Sequence, residues 1–399
     1  MIHVDEALKL VLDSSSELGI EVVNLSDAIG RFLAEDIYAD RPIPPFDRVT
    51  MDGIAILHAS YKDRTTPFRI EAIGPAGSPQ LTLMKPENCI EIMTGASLPK
   101  GTDTIIRYED LERVEDTFYI QSEISQGQNV HHKGSDHEEG VILLHRGLEI
   151  KAIDVNILAS VGKTKISVLK MPKVAVISSG DELVEVDQVP KDYQVRKSNV
   201  YMISARLRQL NLPSQTFHFK DDEEGILNEV ERVLEEFDVL LMSGGVSKGK
   251  FDFIPAILEK LGFEKLFHRV AQRPGKPFWF GKKGKKTVFA FPGNPVSTLA
   301  CFHKYFIPWL HKTLGKDQPQ LNVVLSEDVS FKPNLTYFAQ AMVAQGEDGR
   351  YFAKVRHGKG SGDIVSPSMM NGFVELPQGP ELYKAGEMYR FMPFYPLFK

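Results

Sequence analysis

Three segments combine glycines with polar side chains, and each directly follows a run of apolar residues typical of a buried strand. They are Ser178-Ser-Gly-Asp-Glu182, Ser243-Gly-Gly-Val-Ser-Lys-Gly249 and Pro292-Gly-Asn-Pro-Val-Ser297. Glycines permit positive φ and close approach of the backbone, so successive amide groups can enclose an oxyanion. Each segment alone could be a simple tight turn. Because ligands of open α/β sheets bind beyond the carboxyl ends of the strands, three together predict a phosphate or nucleotide site.

Five acidic residues lie at or close to these segments: Asp181, Glu182, Asp221, Asp222 and Asp252. Mg²⁺ is typically held by one or two carboxylates together with phosphate oxygens, so this grouping favours magnesium-assisted phosphoryl chemistry. A structural role is the alternative for each residue taken singly, because Asp252 and the Asp221-Asp222 pair also suit the start of a helix. The residues alone leave this choice open.

Two basic residues stand on a rigid turn in Arg273-Pro-Gly-Lys-Pro277. They suit phosphate binding, and the alternative is solvated surface charge. The third glycine segment also predicts a helix start, since Asn294 is a favoured N-cap residue and Pro295 suits the first helical position. Lys282-Lys-Gly-Lys-Lys286 lies between two β-like runs, so we predict a hairpin tip and not a nucleic-acid site.

The glycine segments belong to a region in which strand and helix patterns alternate. KVAVISSG, DVLLMSGG and TVFAFPGNP are predicted strands, and helices are predicted at 199–210, 223–237, 252–261 and 296–314. This alternation is typical of a doubly wound α/β domain with a mostly parallel sheet. On either side the pattern is β-rich. The expected fold class is therefore α/β plus β, in several domains.

The domain organisation follows from these changes of pattern. A helix at 1–19 precedes a discontinuous, mixed first domain at 20–43 and 141–171. We place an inserted β-domain at 44–140, because the proline-rich run that starts at Arg41 cannot continue a regular element. The central α/β domain spans 172–316, and a small C-terminal β-domain spans 317–399.

Composition limits the classes of partner. The chain has 399 residues and a net charge of −6, which argues against a nucleic-acid partner because such proteins need a basic face. Its apolar runs are too short to span a bilayer and no secretory signal is visible, so no membrane partner is expected. Cys89 and Cys301 are predicted to be buried free thiols, which fits a cytoplasmic location.

Seven segments together resemble a known family. They are 44–56 (PPFDRVTMDGIAI), 92–106 (IMTGASLPKGTDTII), 131–140 (HHKGSDHEEG), 178–183 (SSGDEL), 243–253 (SGGVSKGKFDF), 273–281 (RPGKPFWFG) and 291–297 (FPGNPVS). In this order they are similar to the molybdopterin molybdotransferases, the family of bacterial MoeA and the gephyrin E-domain. The resemblance runs from near residue 1 to the C-terminal β-rich segment.

The resemblance implies a reaction and an assembly. Members of the family insert molybdate into adenylated molybdopterin, release AMP and yield molybdenum cofactor, with Mg²⁺ assisting. They are elongated homodimers whose active cleft lies between the α/β domain of one subunit and the β-domain of the other. Adenylated molybdopterin and molybdate would thus be substrates, and the adenylyltransferase of the pathway a candidate partner.

The resemblance also assigns residues. The inserted β-domain would contribute three catalytic residues, Asp52, Thr94 and Asp136. The α/β domain would contribute the catalytic residues Glu182 and Asp252, and the metal ligands would be Asp221, Asp252 and Glu182. The substrate and its nucleotide would contact Ser179, Gly180, Asp222, Ser243, Gly244, Gly245, Ser247, Lys276, Pro292, Gly293, Asn294, Pro295 and Ser297.

Three segments depart from the usual pattern of the family. Segment 48–50 reads RVT where Asn-Ser-Ala is common and is followed by Ile54 in place of a common Tyr, Arg273 replaces a common Lys, and Ser135 replaces a common Glu. These changes concern the pocket, and the acidic residues are retained. The alternatives to the molybdotransferase are a molybdopterin adenylyltransferase-like enzyme and a non-catalytic, gephyrin-like scaffold. The extra domains argue against the adenylyltransferase-like enzyme. The scaffold ranks last, because no long linker or fused module is visible.

Overall fold

The computed structural model describes residues 1–220, 222–246, 253–316 and 320–395. Its framework consists of three six-stranded sheets: one in the N-terminal part, one in the central α/β part and one near the C-terminus. Short 3₁₀ turns occur at Leu25–Asp27, His58–Ser60, Tyr108–Asp110 and Ser366–Met369. Within the described residues, no helix has both the length and the apolar character needed to cross a bilayer.

The N-terminal part contains two helices and twelve strands. They are α1 (Val4–Asp13), β1 (Ile20–Asn24), β2 (Ile37–Tyr38), β3 (Arg48–Val49), β4 (Gly53–Ile56), β5 (Phe68–Gly74), β6 (Cys89–Ile92), β7 (Thr104–Arg107), β8 (Leu111–Val114), β9 (Thr117–Ile120), β10 (Val130–His131), β11 (Ile142–Leu144), α2 (Ala152–Ser160) and β12 (Lys165–Leu169). Strands β4 to β9 form a sheet in the order β7-β4-β6-β5-β9-β8. The pairs β1–β12 and β2–β11 join the segment that precedes that sheet in sequence to the segment that follows it.

The first helix is shorter than the sequence predicted. Its buried residues Val4, Ala7 and Val11 recur every three or four positions, as the amphipathic pattern requires. The helix ends at Asp13 instead of extending toward residue 19. The Ser14 and Ser15 hydroxyls donate to the backbone carbonyls three residues earlier, which competes with continuation of the helix.

The central part contains nine strands and five helices. They are β13 (Val174–Ser179), β14 (Leu183–Val184), β15 (Val195–Arg196), α3 (Asn199–Gln209), β16 (Ser214–Phe219), α4 (Glu223–Glu236), β17 (Val239–Ser243), α5 (Ile254–Lys260), β18 (Glu264–His268), β19 (Gln272–Arg273), β20 (Trp279–Lys283), β21 (Lys286–Phe291), α6 (Pro295–Cys301) and α7 (Ile307–Thr313). The sheet order is β16-β13-β17-β21-β20-β18, with the first four strands parallel. Lys283 pairs with Lys286, which confirms the predicted hairpin tip.

Helices cover both faces of this sheet, as the α/β prediction required. Val174 and Val176 of β13 pack into one apolar cluster with residues of α3, α6 and α7. Ala175 and Ile177 of the same strand pack on the opposite face with residues of α4 and α5. The strands are apolar on both faces, so their continuous apolar runs follow from burial on both sides.

The long helix predicted at 296–314 contains an irregularity. Helix α6 ends at Cys301, and a π-helical turn at Phe302–Phe306 leads into α7. Pro308 near the start of α7 has no N–H to donate, and a proline ring within a helix clashes with the preceding turn. The wider turn before it accommodates this proline.

The C-terminal part contains seven strands: β22 (Leu321–Leu325), β23 (Val329–Ser330), β24 (Thr336–Gln345), β25 (Tyr351–Val355), β26 (Gly372–Leu376), β27 (Leu382–Tyr383) and β28 (Met388–Pro393). Strands β24-β25-β22-β28-β26 form a ring that closes through the β24–β26 pairing. The short strand β19 of the central part adds to this ring, with Gln272 opposite Thr336 and Arg273 opposite Tyr337. The central and C-terminal parts therefore share a sheet.

Candidate active site

The glycine segments are brought together by the register of the parallel sheet. Ser178 at the end of β13 lies opposite Ser243 at the end of β17, and Ser243 lies opposite Phe291 at the end of β21. The three strands therefore end side by side, as their sequence pattern predicted. A Cβ atom added at Gly244 would come within 2.8 Å of the Ser179 carbonyl oxygen, and Gly244 has φ +102°. Only glycine fits this close approach without strain.

A single asparagine joins these loops, and the sequence prediction missed it. The Asn199 side-chain nitrogen Nδ2 donates to Ser243 Oγ at 2.9 Å, to the Gly293 carbonyl at 2.7 Å and to Thr298 Oγ1 at 3.2 Å. Asn199 is the first residue of α3. The only sequence signal was an asparagine at a predicted helix start, which is common for structural reasons alone.

Two buried polar atoms at the same place lack a hydrogen-bond partner among the described residues. They are Ser179 Oγ and Asn199 Oδ1. A buried polar atom without a partner costs free energy, so such atoms are uncommon unless a ligand, ion or water satisfies them. Their position beside the aligned strand ends is consistent with a ligand that supplies the missing partners.

The basic turn lines a cavity of about 660 Å³ between the central and C-terminal parts. Arg273 and Lys276 are both exposed there, and Lys332 and His357 line the cavity from the C-terminal part. Four cationic or titratable basic groups make the cavity suited to anions. The sequence prediction included Arg273 and Lys276 but not the two residues from the C-terminal part, which reach the cavity only through tertiary structure.

Buried side chains support the basic turn from behind. Gln272 Nε2 donates to the Gly275 carbonyl at 3.0 Å, and the Tyr305 hydroxyl donates to Gln272 Oε1. Cys301 Sγ packs against the same turn. Burial raises the pKa of the Cys301 thiol, so this cysteine is a neutral thiol, which fits the predicted buried free cysteine.

The start of α6 differs in one respect from the prediction. Pro295 occupies the first turn as predicted, and Asn294 stands at the N-cap position without capping the helix through its side chain. Asn294 Nδ2 donates instead to Ser361 Oγ at 2.9 Å, and the Val296 N–H donates to the Ser361 carbonyl. Ser297 is buried beneath this turn. The C-terminal part thus contacts the third glycine segment directly.

The predicted acidic residues of the α/β part lie in different structural environments. Glu182 is exposed, and its carboxylate lies against the backbone of Gly180, where a Cβ atom would collide with it. Asp222 Oδ2 accepts the Gly225 N–H at 2.8 Å and so caps helix α4, which is the structural alternative considered above. The predicted residues Asp221, Ser247 and Asp252 lie outside the described residues.

The inserted sheet positions two of its three predicted residues together. The Thr94 N–H donates to Asp52 Oδ1 at 2.6 Å, and this bond lowers the pKa of the Asp52 carboxyl. Asp136 lies elsewhere in the same part, where its Oδ1 is 2.8 Å from His131 Nε2. His131 Nδ1 is in turn 3.0 Å from the Arg48 guanidinium. Arg48, one of the departures from the family pattern, is therefore linked to Asp136 by hydrogen bonds through His131.

Comparisons with protein families match the chain almost throughout. The part that carries the glycine segments matches a probable molybdopterin binding domain over residues 175–312. The flanking parts match the MoeA N-terminal region (domain I and II) over residues 2–162 and the MoeA C-terminal region (domain IV) over residues 322–394. The chain belongs to the MoeA family of molybdenum cofactor biosynthesis.

Individual relatives agree with this family. The chain is 36% identical to a Synechocystis protein named molybdopterin molybdenumtransferase, over 99% of this chain and 100% of the relative. It is 32% identical to a Staphylococcus epidermidis protein of the same name, over 97% and 94% of the two chains. A crystal structure of the molybdopterin biosynthesis MoeA protein from Pyrococcus horikosii superposes with a TM-score of 0.84 at 29% identity, covering 99% of both chains. The predicted family and fold class are confirmed.

Proposed function

We propose that this protein is a molybdopterin molybdenumtransferase, which inserts molybdate into adenylated molybdopterin and releases AMP. The observation that carries the proposal is the 36% identity over the full chain to a relative of that name. Neither alternative has comparable support, because the match covers all the parts of the chain and not the α/β part alone.

The chemistry of the described residues supports an anionic substrate. The aligned strand ends offer the unpartnered Ser179 hydroxyl, and the neighbouring cavity offers Arg273 and Lys276. Molybdate and a pyrophosphate-linked nucleotide are both polyanions, so their approach requires compensating positive charge. Positive charge would also stabilise the phosphate as AMP departs.

We propose Mg²⁺ as the assisting cation, with Glu182 as one ligand. Among the described residues, no cluster of three or more His, Cys, Asp or Glu side chains could hold a metal. Mg²⁺ is usually held by carboxylates together with phosphate oxygens of the substrate, and Glu182 is an exposed carboxylate beside the aligned strand ends. Asp221 and Asp252 are the further ligands that we propose, and the bound ion would reduce repulsion between the carboxylates and the substrate phosphates.

The assembly that we propose is a cytoplasmic homodimer with a shared cleft. In it, Asp52, Thr94 and Asp136 of one subunit would face Glu182 and Asp252 of the other. Within one chain, Asp52 directly precedes β4 and Thr94 follows β6 of the inserted sheet, whereas Glu182 follows a strand of the central sheet. A cleft between subunits would unite them, and the adenylyltransferase of the pathway would be the partner that delivers the adenylated substrate.

The reaction can be tested with the purified full chain. We expect AMP release from adenylated molybdopterin only when molybdate and Mg²⁺ are both present. Asp252→Ala should abolish release while circular dichroism stays unchanged. Lys276→Gln should reduce release, whereas Lys265→Gln should not, because Lys265 is an exposed lysine paired with Glu259. Release of AMP without molybdate, or ATP consumption with free molybdopterin, would contradict the proposal.

The metal site needs a separate measurement. We expect Glu182→Gln to raise the Mg²⁺ concentration at which AMP release is half-maximal. Glu264→Gln is the matched control, because Glu264 is an exposed glutamate at the opposite edge strand of the same sheet. An unchanged Mg²⁺ requirement in Glu182→Gln would remove this residue from the metal site.

A further inference from the structure

A second cavity, of about 740 Å³, lies on another side of the α/β part. Helix α1, the π-helical turn, helix α7 and strands β22 and β28 surround it. It shares no lining residue with the cavity at the basic turn. It therefore differs in position from the site described above, and nothing in the proposed reaction uses it.

The lining of this second cavity carries more basic than acidic side chains. Its described lining residues include one carboxylate, Glu375, and five cations: Arg206, Lys304, Lys312, Lys316 and Arg390. Four of the five cations have carboxylate neighbours. Lys304 binds Glu375 at 2.7 Å and Lys316 binds Glu149 at 2.5 Å, while Lys312 and Arg390 stand 3.9 Å and 3.8 Å from Asp13 and Asp5.

Arg206 differs from the other four, because no carboxylate of the described residues lies within ion-pair distance of it. Its Nη1 donates to the neutral Gln209 side chain, and its guanidinium lies 5.3 Å from the centre of the Tyr395 ring. Its Nε atom is buried without a hydrogen-bond partner. Arg206 as a whole is half-buried, and a buried N–H donor without a partner costs free energy unless an acceptor binds it.

Two histidines that line the cavity have lowered pKa values, mainly because they are buried. Burial first, and then the charge of Arg206, lower the pKa of His303 to about 3. Burial and the charge of Lys316 lower the pKa of His311 to about 4. Both imidazoles are therefore neutral at physiological pH, and His311 Nδ1 is buried without a partner among the described residues. An anion here would meet two imidazoles and one cation, Arg206, that has no carboxylate partner among the described residues.

The π-helical turn positions two of the residues that line this cavity. The π-helical turn at Phe302–Phe306 carries His303 and Lys304, and both line the cavity. Turns of this type inside helices occur frequently at functional sites. Apolar side chains, Leu8 and Leu12 of α1 and Ile307 of α7, complete the wall next to the basic groups.

We propose that the second cavity binds a small organic polyanion. Its phosphate or carboxylate groups would contact Arg206, His311 and Lys312, and its apolar part would contact Leu8, Leu12 and Ile307. Phosphates and carboxylates both match the planar donor set of a guanidinium, so the chemistry alone admits either source. This site is additional to the proposed transferase reaction and does not depend on it.

The test uses calorimetric titration of the full chain with two probes, inorganic pyrophosphate and citrate. The background is Arg273→Gln/Lys276→Gln, which weakens anion binding at the first cavity. We expect one probe molecule bound per chain. Tighter binding of pyrophosphate than of citrate would indicate a phosphorylated ligand, and tighter binding of citrate would indicate a carboxylate ligand. Adding Arg206→Gln and Lys312→Gln should weaken binding about tenfold or more, the scale of a lost charge-assisted hydrogen bond. Adding Lys265→Gln should change nothing.

A second readout guards against loss of folding in the Arg206 variant. The imidazole nitrogen resonances of His311 should shift on addition of the bound probe to the Arg273→Gln/Lys276→Gln protein, and those of His58 in the N-terminal part should not. Lys312→Gln alone, at a half-exposed lysine, should weaken that response without altering circular dichroism. Binding by neither probe, or binding that is indifferent to Arg206 and Lys312, would overturn the proposal.

Discussion

The side-chain amide of Asn199 donates to the backbone carbonyl of Gly293 at 2.7 Å, across 94 residues of sequence. The same nitrogen also binds Ser243 Oγ, so the start of α3 holds the loops after β17 and β21 at a fixed separation. Those loops form the floor on which we expect the nucleotide to bind. The spacing of the floor therefore depends on a residue outside all three glycine segments.

Replacing Asn199 with alanine should disturb this floor more than the fold. The side-chain NH2 group has two hydrogens, so about two hydrogen bonds of roughly 0.5–1.5 kcal/mol each are lost, and the free energy of unfolding should fall by about 1–3 kcal/mol. We expect a larger effect on the KM for adenylated molybdopterin, measured by AMP release. Asn322→Ala, at an exposed asparagine in β22, is the control. If the KM of the Asn199 variant matches that of the control, Asn199 does not position the floor.

Two glycines of the floor should respond differently to the same substitution. Gly244→Ala introduces a Cβ atom 2.8 Å from a carbonyl oxygen at φ +102°, and such backbone strain costs about 1–3 kcal/mol. Gly293 has no positive φ, and its added Cβ would meet only the Gly244 Cα at 3.7 Å. Chemical denaturation should thus detect Gly244→Ala and not Gly293→Ala. If a phosphate approaches the backbone at Gly293, that variant will instead lose substrate affinity at full stability.

The bond between Asp52 and the Thr94 N–H should depend on pH in one direction. The bond lowers the pKa of the Asp52 carboxyl below its ordinary value of 3.8. A lowered carboxyl pKa means that the stabilising contribution is present above pH 3.8 and is lost as the pH falls through the lowered pKa. Carboxyl resonances should therefore show Asp52 titrating below 3.8.

Substitution of Asp52 tests whether the same bond matters for activity. Asp52→Ala should shift the Thr94 amide resonance and reduce AMP release. Asp63→Ala is a matched control, because the Asp63 carboxylate binds the Thr65 N–H at 2.8 Å in an exposed loop of the same part. That variant should leave the Thr94 amide and AMP release unchanged. Equal activity of both variants would exclude Asp52 from the reaction.

The buried pair Lys304–Glu375 should matter far more for stability than a surface pair of the same type. Its side chains are 5% and 10% exposed, and removal of one partner leaves a buried charge, which costs about 3–5 kcal/mol. Lys265 and Glu259 are 45% and 48% exposed, and such pairs contribute about 0–1 kcal/mol. Denaturation of Glu375→Gln and Glu259→Gln should show this difference. The double variant Lys304→Met/Glu375→Leu should recover much of the loss; if it does not, the pair itself is stabilising.

Local patterns predicted the parts of the fold that depend on neighbours in sequence. The glycine segments follow strands, the Lys283–Lys286 hairpin is present, and Pro295 begins a helix, because turn chemistry and apolar periodicity act over a few residues. The predicted role of Asn294 as a side-chain cap is not realised, since its amide binds Ser361 in another part of the chain. Asp222, assigned to the substrate by resemblance, caps α4.

Contacts between distant segments were beyond prediction from local pattern. Asn199 was not selected because an asparagine at a helix start has an ordinary structural explanation. Lys332 and His357 reach the first cavity only because the C-terminal ring packs beside the basic turn. The assignments of Asp221, Ser247 and Asp252 stay predictions that rest on the family pattern.

The two-residue strand β19 has a consequence for protein engineering. Gln272 and Arg273 extend the C-terminal ring by pairing with Thr336 and Tyr337, although they belong to the central part of the chain. The boundary between these two parts is therefore not a clean point for dissection. A fragment that ends near residue 316 would keep the strand-end loops but lose β24, the strand that pairs with Arg273. A chimera with a foreign C-terminal part would have to reproduce that pairing. Exchange of modules between relatives should succeed only when the basic turn and the ring are transferred together.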